Sequence, residues 1–74
     1  MKQLDLHGVK HAEAPGAICR FINDNWEEGK DVLIITGHSP EMKQIVIDQC
    51  VDYKVRYYCS VHEPMVKVYL SEVI

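Results

Sequence analysis

Asp5 and His7 stand one residue apart in the stretch Leu4-Asp5-Leu6-His7-Gly8. A carboxylate beside an imidazole can hold the ring in one tautomer and raise its basicity. The ring can then accept a proton from water or from a ribose 2′-hydroxyl. A second stretch, Thr36-Gly37-His38-Ser39, carries another imidazole, which can give a proton to a leaving oxygen. Asp5, His7 and His38 are therefore a candidate set for cleaving a phosphodiester, and that chemistry needs no Ser or Cys nucleophile. The plainer reading stays open beside it, since a histidine after a strand often only caps a turn or bonds a backbone carbonyl.

Short elements must position these residues. Leu4 and Leu6 alternate with Asp5 and His7, the period of a strand with one buried face, predicted over residues 3 to 7. Gly8 supplies the backbone freedom for the turn that follows. Ala14, Ile18, Phe21, Ile22 and Trp26 recur at spacings of three and four, so a helix is predicted from about His11 to Gly29. Asp31 to Thr36 is an apolar run and reads as a central strand. Ser39-Pro40-Glu41 is a helix start, with Ser39 as N-cap and Pro40 in the first helical position. Met42, Ile45, Val46 and Cys50 form the buried stripe of that helix, which ends near Asp52.

In the third strand Val55, Tyr57, Cys59 and Val61 alternate with Arg56, Tyr58 and Ser60. In the fourth, Val66, Val68 and Leu70 alternate with Lys67, Tyr69 and Ser71. His62-Glu63-Pro64 reads as the hairpin loop between them. The order is β-α-β-α-β-β over one domain, residues 1–74. Two helices cover one face of so small a sheet, which predicts an α/β (α+β) two-layer sandwich with a four-stranded mixed sheet and a partly open second face.

If the first two strands are parallel, both strand-to-helix turns lie at one sheet edge, where ligands of open α/β sheets bind. Gly8, Thr36, Gly37 and Ser39 would offer small turns and helix N-termini to a phosphate there. A second constellation lies on the polar phase of the strands. Arg56, Tyr58, Lys67 and Tyr69, with Lys54, are basic and aromatic residues that can contact phosphates and stack bases. The same residues also suit an ordinary solvated sheet face. His7 and His11 lack the partners of a zinc site, so no metal ligand is assigned. A transient divalent cation, Mg or Mn, is the one cofactor left open.

Composition bounds the rest. The chain has 74 residues, 47% apolar and 26% charged, an ordinary globular balance. A net charge of −3 excludes a bulk polycation, so nucleic-acid contact must come from a local patch. No apolar run reaches a membrane span, and residues 1 onward do not read as a basic, apolar, small-residue signal, so neither membrane attachment nor secretion is expected. Cys19, Cys50 and Cys59 are odd in number and form no CxxC, which fits a reducing, cytoplasmic setting and inert core thiols.

LDLHG near the start, a helix, then VLIITG leading into a second helix resemble the Smr (small MutS-related) domain family. The likeness runs from Leu4 to about Leu70. The resemblance implies a sandwich similar to the C-terminal domain of bacterial translation initiation factor three. It also implies DNA or RNA binding and, in several members, endonuclease or nicking activity. The family's functional Asp and His fall on Asp5 and His7. Its second motif matches at Thr36, Gly37 and His38, while Ser39 stands where a glycine is expected. The glycine-rich entry to the last strand is replaced by Pro64 and Met65. The leading expectation is a stand-alone nucleic-acid-binding domain with an endonuclease site. A non-catalytic binder is the alternative. So is a protein-interaction module or homodimer, pairing through an edge strand such as the third or fourth.

Overall fold

The computed structural model describes residues 1–73, so all but the last residue of the expected domain is covered. Its elements are β1 (Gln3–Asp5), α1 (Ala14–Asn25), β2 (Val32–Ile35), α2 (Pro40–Tyr53), β3 (Val55–Cys59) and β4 (Met65–Val73). The strands form one mixed sheet in the order β1-β2-β4-β3. β1 and β2 are parallel, whereas β4 runs antiparallel to both β2 and β3. β3 therefore points the same way as β1 and β2.

The predicted architecture is the observed one, an α+β sandwich with both helices on one face. Register explains how the core is assembled. Val32 pairs with Val68 and Ile34 with Val66, and all four are buried. Ala14, Ile18 and Ile22 of α1 and Met42, Val46 and Cys50 of α2 join them in one apolar cluster. The intervening residues Leu33, Ile35, Lys67 and Tyr69 face the other side and are only half-buried. The apolar run of β2 thus reflects a central strand whose second face is half-open.

Boundaries differ from expectation for local reasons. β1 stops at Asp5, although Leu6 still donates to the Ile35 carbonyl at 2.8 Å. α1 is shorter than predicted at both ends. Residues 11–13 form a turn closed by the Glu13 and Ala14 N–H groups on the Lys10 carbonyl. At the other end the buried Asn25 amide donates to the Phe21 carbonyl at 2.8 Å, and the chain turns out through Gly29 at φ 62°. Trp26 lies beyond the helix and meets Tyr53, ring centroids 5.7 Å apart.

α2 begins as expected, with the Ser39 hydroxyl accepting from the Met42 N–H at 3.1 Å. It ends one residue later than expected, at Tyr53, and Lys54 follows as its cap with a left-handed φ of 57°. That removes Lys54 from the sheet face predicted for it. Val61 is also outside its predicted strand and 81% exposed, because β3 ends at Cys59. The fourth strand is not an edge: it lies between β2 and β3, which leaves β1 and β3 as the borders. No helix of the described residues is long and apolar enough to cross a membrane.

Candidate nucleic-acid interface

The parallel pairing of β1 with β2, Asp5 opposite Ile35, brings the two strand-to-helix turns side by side at the carboxyl edge. The first turn is Leu6 to Val9, closed by the Val9 N–H on the Leu6 carbonyl at 3.0 Å. Gly8 takes φ 84° there, a conformation other residues adopt only under strain. His7 and His11 are both exposed. Asp5 is exposed as well, and its carboxylate accepts a 2.8 Å hydrogen bond from the His7 backbone N–H. The carboxylate therefore shapes the turn that carries His7 rather than gripping the imidazole.

The second turn is built around the buried Thr36. Its hydroxyl donates to the Gly37 carbonyl at 2.8 Å, and Gly37 takes φ 68°. His38 follows, exposed. The backbone N–H groups of Thr36 and Gly37 both donate to the Pro64 carbonyl, each at 3.0 Å. Those two donors, expected to be available to a phosphate, are thus occupied from within the fold. At the start of α2, Pro40 has no N–H, Met42 is capped by Ser39, and the Ser39 hydroxyl donates to the Glu41 carboxylate at 3.2 Å. The helix dipole here already faces a resident acid, which opposes an incoming anion.

Two residues at this edge were not singled out from the sequence. Lys43 is 7% exposed, and its ammonium donates to the Ser60 carbonyl at 2.9 Å. Its spacing was a legible signal, because 43, 46 and 50 recur at three and four along the buried stripe. Pro64 is the other, and only the observed strand order reveals its contact with Thr36 and Gly37.

The open face meets the edge and carries the second constellation. Tyr58 pairs with Lys67 and Arg56 with Tyr69 across β3 and β4, so all four share one surface. The Lys67 ammonium lies 5.2 Å from the centroid of the Tyr69 ring. Tyr58 is 50% exposed. Leu33, Ile35 and Met65 continue this surface toward β1 as a half-buried apolar strip.

Of the three thiols, Cys50 is buried in the core, and Cys59, half-buried at the end of β3, packs against it. Burial raises the Cys50 thiol to a pKa of about 11. The Cys19 sulfur lies 2.8 Å from the Tyr53 hydroxyl on the helix side. That contact, followed by burial, raises the Tyr53 phenol above its ordinary range. Among the described residues no group of three or more His, Cys, Asp or Glu side chains is placed to hold a metal ion.

A small α+β sandwich with paired His-bearing turns at the carboxyl edge of its sheet is the class that these features define. The family model for the Smr domain matches residues 4–72. The chain belongs to the Smr domain family. No curated protein and no solved structure gives a significant match.

Proposed function

We propose that the chain binds DNA or RNA across its carboxyl edge and open face, and that the edge nicks the phosphodiester backbone. The observation that carries this reading is the parallel β1–β2 pairing, which sets Asp5-Leu6-His7-Gly8 beside Thr36-Gly37-His38-Ser39. In the proposed reaction His7 accepts a proton from water or a 2′-hydroxyl as that oxygen attacks phosphorus. His38 protonates the oxygen that leaves. Asp5 is a positioning residue, acting on the His7 backbone. Arg56, Tyr58, Lys67 and Tyr69 hold the strand beside the edge, with cations on phosphates and rings on bases. Membership of the Smr family supports nucleic acid as the ligand.

A second reading, binding without cleavage, is favoured by one observation: the Thr36 and Gly37 N–H groups are taken by Pro64. Fewer donors are then left to stabilise a transition-state phosphate. The test is cleavage of end-labelled structured RNA and of supercoiled DNA by the purified chain, with and without chelator, beside His7→Ala. Cleavage lost in the variant supports the nuclease. Binding without cleavage in either preparation supports the second reading. Absence of both binding and cleavage overturns both.

A further inference from the structure

All four histidines leave the sheet at one edge. His7 and His11 follow β1, and His38 follows β2. β3 runs parallel to these two because both β2 and β3 are antiparallel to β4. Its following loop, Ser60 to Pro64, therefore emerges at the same edge and carries His62.

That loop is fastened to the candidate site at both ends. Pro64 takes the N–H groups of Thr36 and Gly37 at 3.0 Å each, and the Thr36 hydroxyl lies 3.4 Å from the same carbonyl. Ser60 is held through its carbonyl by the buried Lys43 ammonium at 2.9 Å. Inside the loop, the His62 N–H donates to the Ser60 hydroxyl at 3.2 Å and the Glu63 N–H to the Ser60 carbonyl at 3.3 Å. His62 itself is exposed. It is two residues from Pro64, whose carbonyl meets the residue before His38. The two histidine Cα atoms thus lie within about 18 Å even at full extension of that path.

The charge around the loop is mixed, and acids outnumber lysines there, so an anion's contact would have to come from the loop's own imidazole. Lys43 forms no ion pair among the described residues; its recorded partner is a neutral carbonyl. Imidazole is the side chain whose charge changes between pH 5 and 8. The charged and titratable residues in the neighbouring turns are Asp5, His7, Lys10, His11 and Glu13 after β1, His38 and Glu41 after β2, and Glu63 in the loop itself.

We propose that the Ser60–Pro64 loop is a third wall of the nucleic-acid site and that His62 contacts a backbone phosphate of the strand bound beside His7 and His38. This rests on the reading of the edge as a nucleic-acid site. It also offers this chain an alternative source of phosphate contact, since the Thr36 and Gly37 amides are occupied.

The test is fluorescence anisotropy with a labelled RNA hairpin and a labelled single-stranded DNA, at pH 6 and pH 8, over a salt series. His62→Gln, His62→Lys, Glu63→Gln and His7→Ala are compared with the unmodified chain. At pH 6 His62→Gln is expected to weaken binding about threefold or more and to lower the slope of log affinity against log salt by about 0.7 to 0.9, one phosphate contact. The difference should shrink from pH 6 to pH 8 if the imidazole's charge is what contacts the phosphate. His62→Lys should keep the steeper slope at both pH values, and Glu63→Gln should tighten binding. If the unmodified chain binds and His7→Ala weakens it, while His62→Gln keeps the full affinity and slope at pH 6, the third wall is overturned and the edge site stands. If the unmodified chain binds neither probe, the edge reading fails and the inference falls with it.

Discussion

The Asp5 carboxylate is hydrogen-bonded to the backbone N–H of His7 at 2.8 Å, closing a local turn around the residue whose side chain it was expected to orient. An Asn in that place keeps a side-chain oxygen for the same bond, whereas Ala removes it. Asp5→Asn is therefore expected to retain nucleic-acid affinity and any cleavage within about threefold. Asp5→Ala should lose about fivefold or more, the worth of one hydrogen bond of ~1 kcal/mol. Parallel binding and cleavage curves of the two variants check this. Equal losses in both would mean that the negative charge, and not the turn, is what matters.

Lys43 links α2 to the loop after β3 through one neutral acceptor. A buried ammonium with a single carbonyl partner carries a desolvation penalty that offsets much of the bond. Lys43→Met keeps the length and packing of the stem while removing the charge. Global stability in urea should then change by less than about 1 kcal/mol in either direction. Amide hydrogen exchange in Ser60 to Glu63 should accelerate, because the loop loses its fastening at Ser60. A global loss above about 3 kcal/mol would show that the ammonium is needed by the core itself.

Much of the fold was legible because burial writes a period into the sequence. Met42, Val46 and Cys50 were readable as a stripe, and Ser39-Pro40-Glu41 as a start, since capping is local. The end of α1 was less legible. Trp26 continues the apolar spacing, yet the Asn25 amide satisfies the Phe21 carbonyl and ends the helix before it. Strand order is a non-local property, so the sequence did not distinguish the internal β4 from the edge strand β3. The candidate site divides in the same way. Asp5, His7 and His38 follow from short motifs, whereas the contact of Pro64 with Thr36 and Gly37 joins residues 28 and 27 positions apart.

Cys50 predicts a pH dependence with a definite sign. Its thiol has a folded-state pKa of about 11 against an ordinary 9.0, because burial disfavours the thiolate. A raised folded-state pKa contributes stability that is fully present below pH 9 and is lost as pH rises through 11. The loss across that window is on the order of 2 kcal/mol. Urea unfolding at pH 8 and pH 10.5 should show this fall in the unmodified chain. Cys50→Ala should be less stable at pH 8 but lose less between the two pH values, which separates the thiol from the tyrosines that titrate nearby. In the native state Cys50 should also be the last of the three thiols to react with an aromatic disulfide, as Cys19 and Cys59 are only half-buried.

Tyr58 lies opposite Lys67, and the Lys67 ammonium in turn sits against the Tyr69 ring. Such a platform can stack unpaired bases, whose faces a closed duplex hides within its own stack. Tyr58→Ser should therefore weaken binding of single-stranded probes about tenfold, within the ~1 to 3 kcal/mol that one stacked base contributes. Binding of a blunt duplex should change by less than about twofold, since a closed duplex would offer this face its phosphates and not its base faces. Because half of the Tyr58 side chain is exposed, the substitution should lower stability by less than about 1 kcal/mol. An equal loss on both probes would assign Tyr58 to shaping the surface and would leave base stacking without support. A loss confined to single strands would mean that the face selects unpaired segments, while the edge acts on the backbone that those segments present.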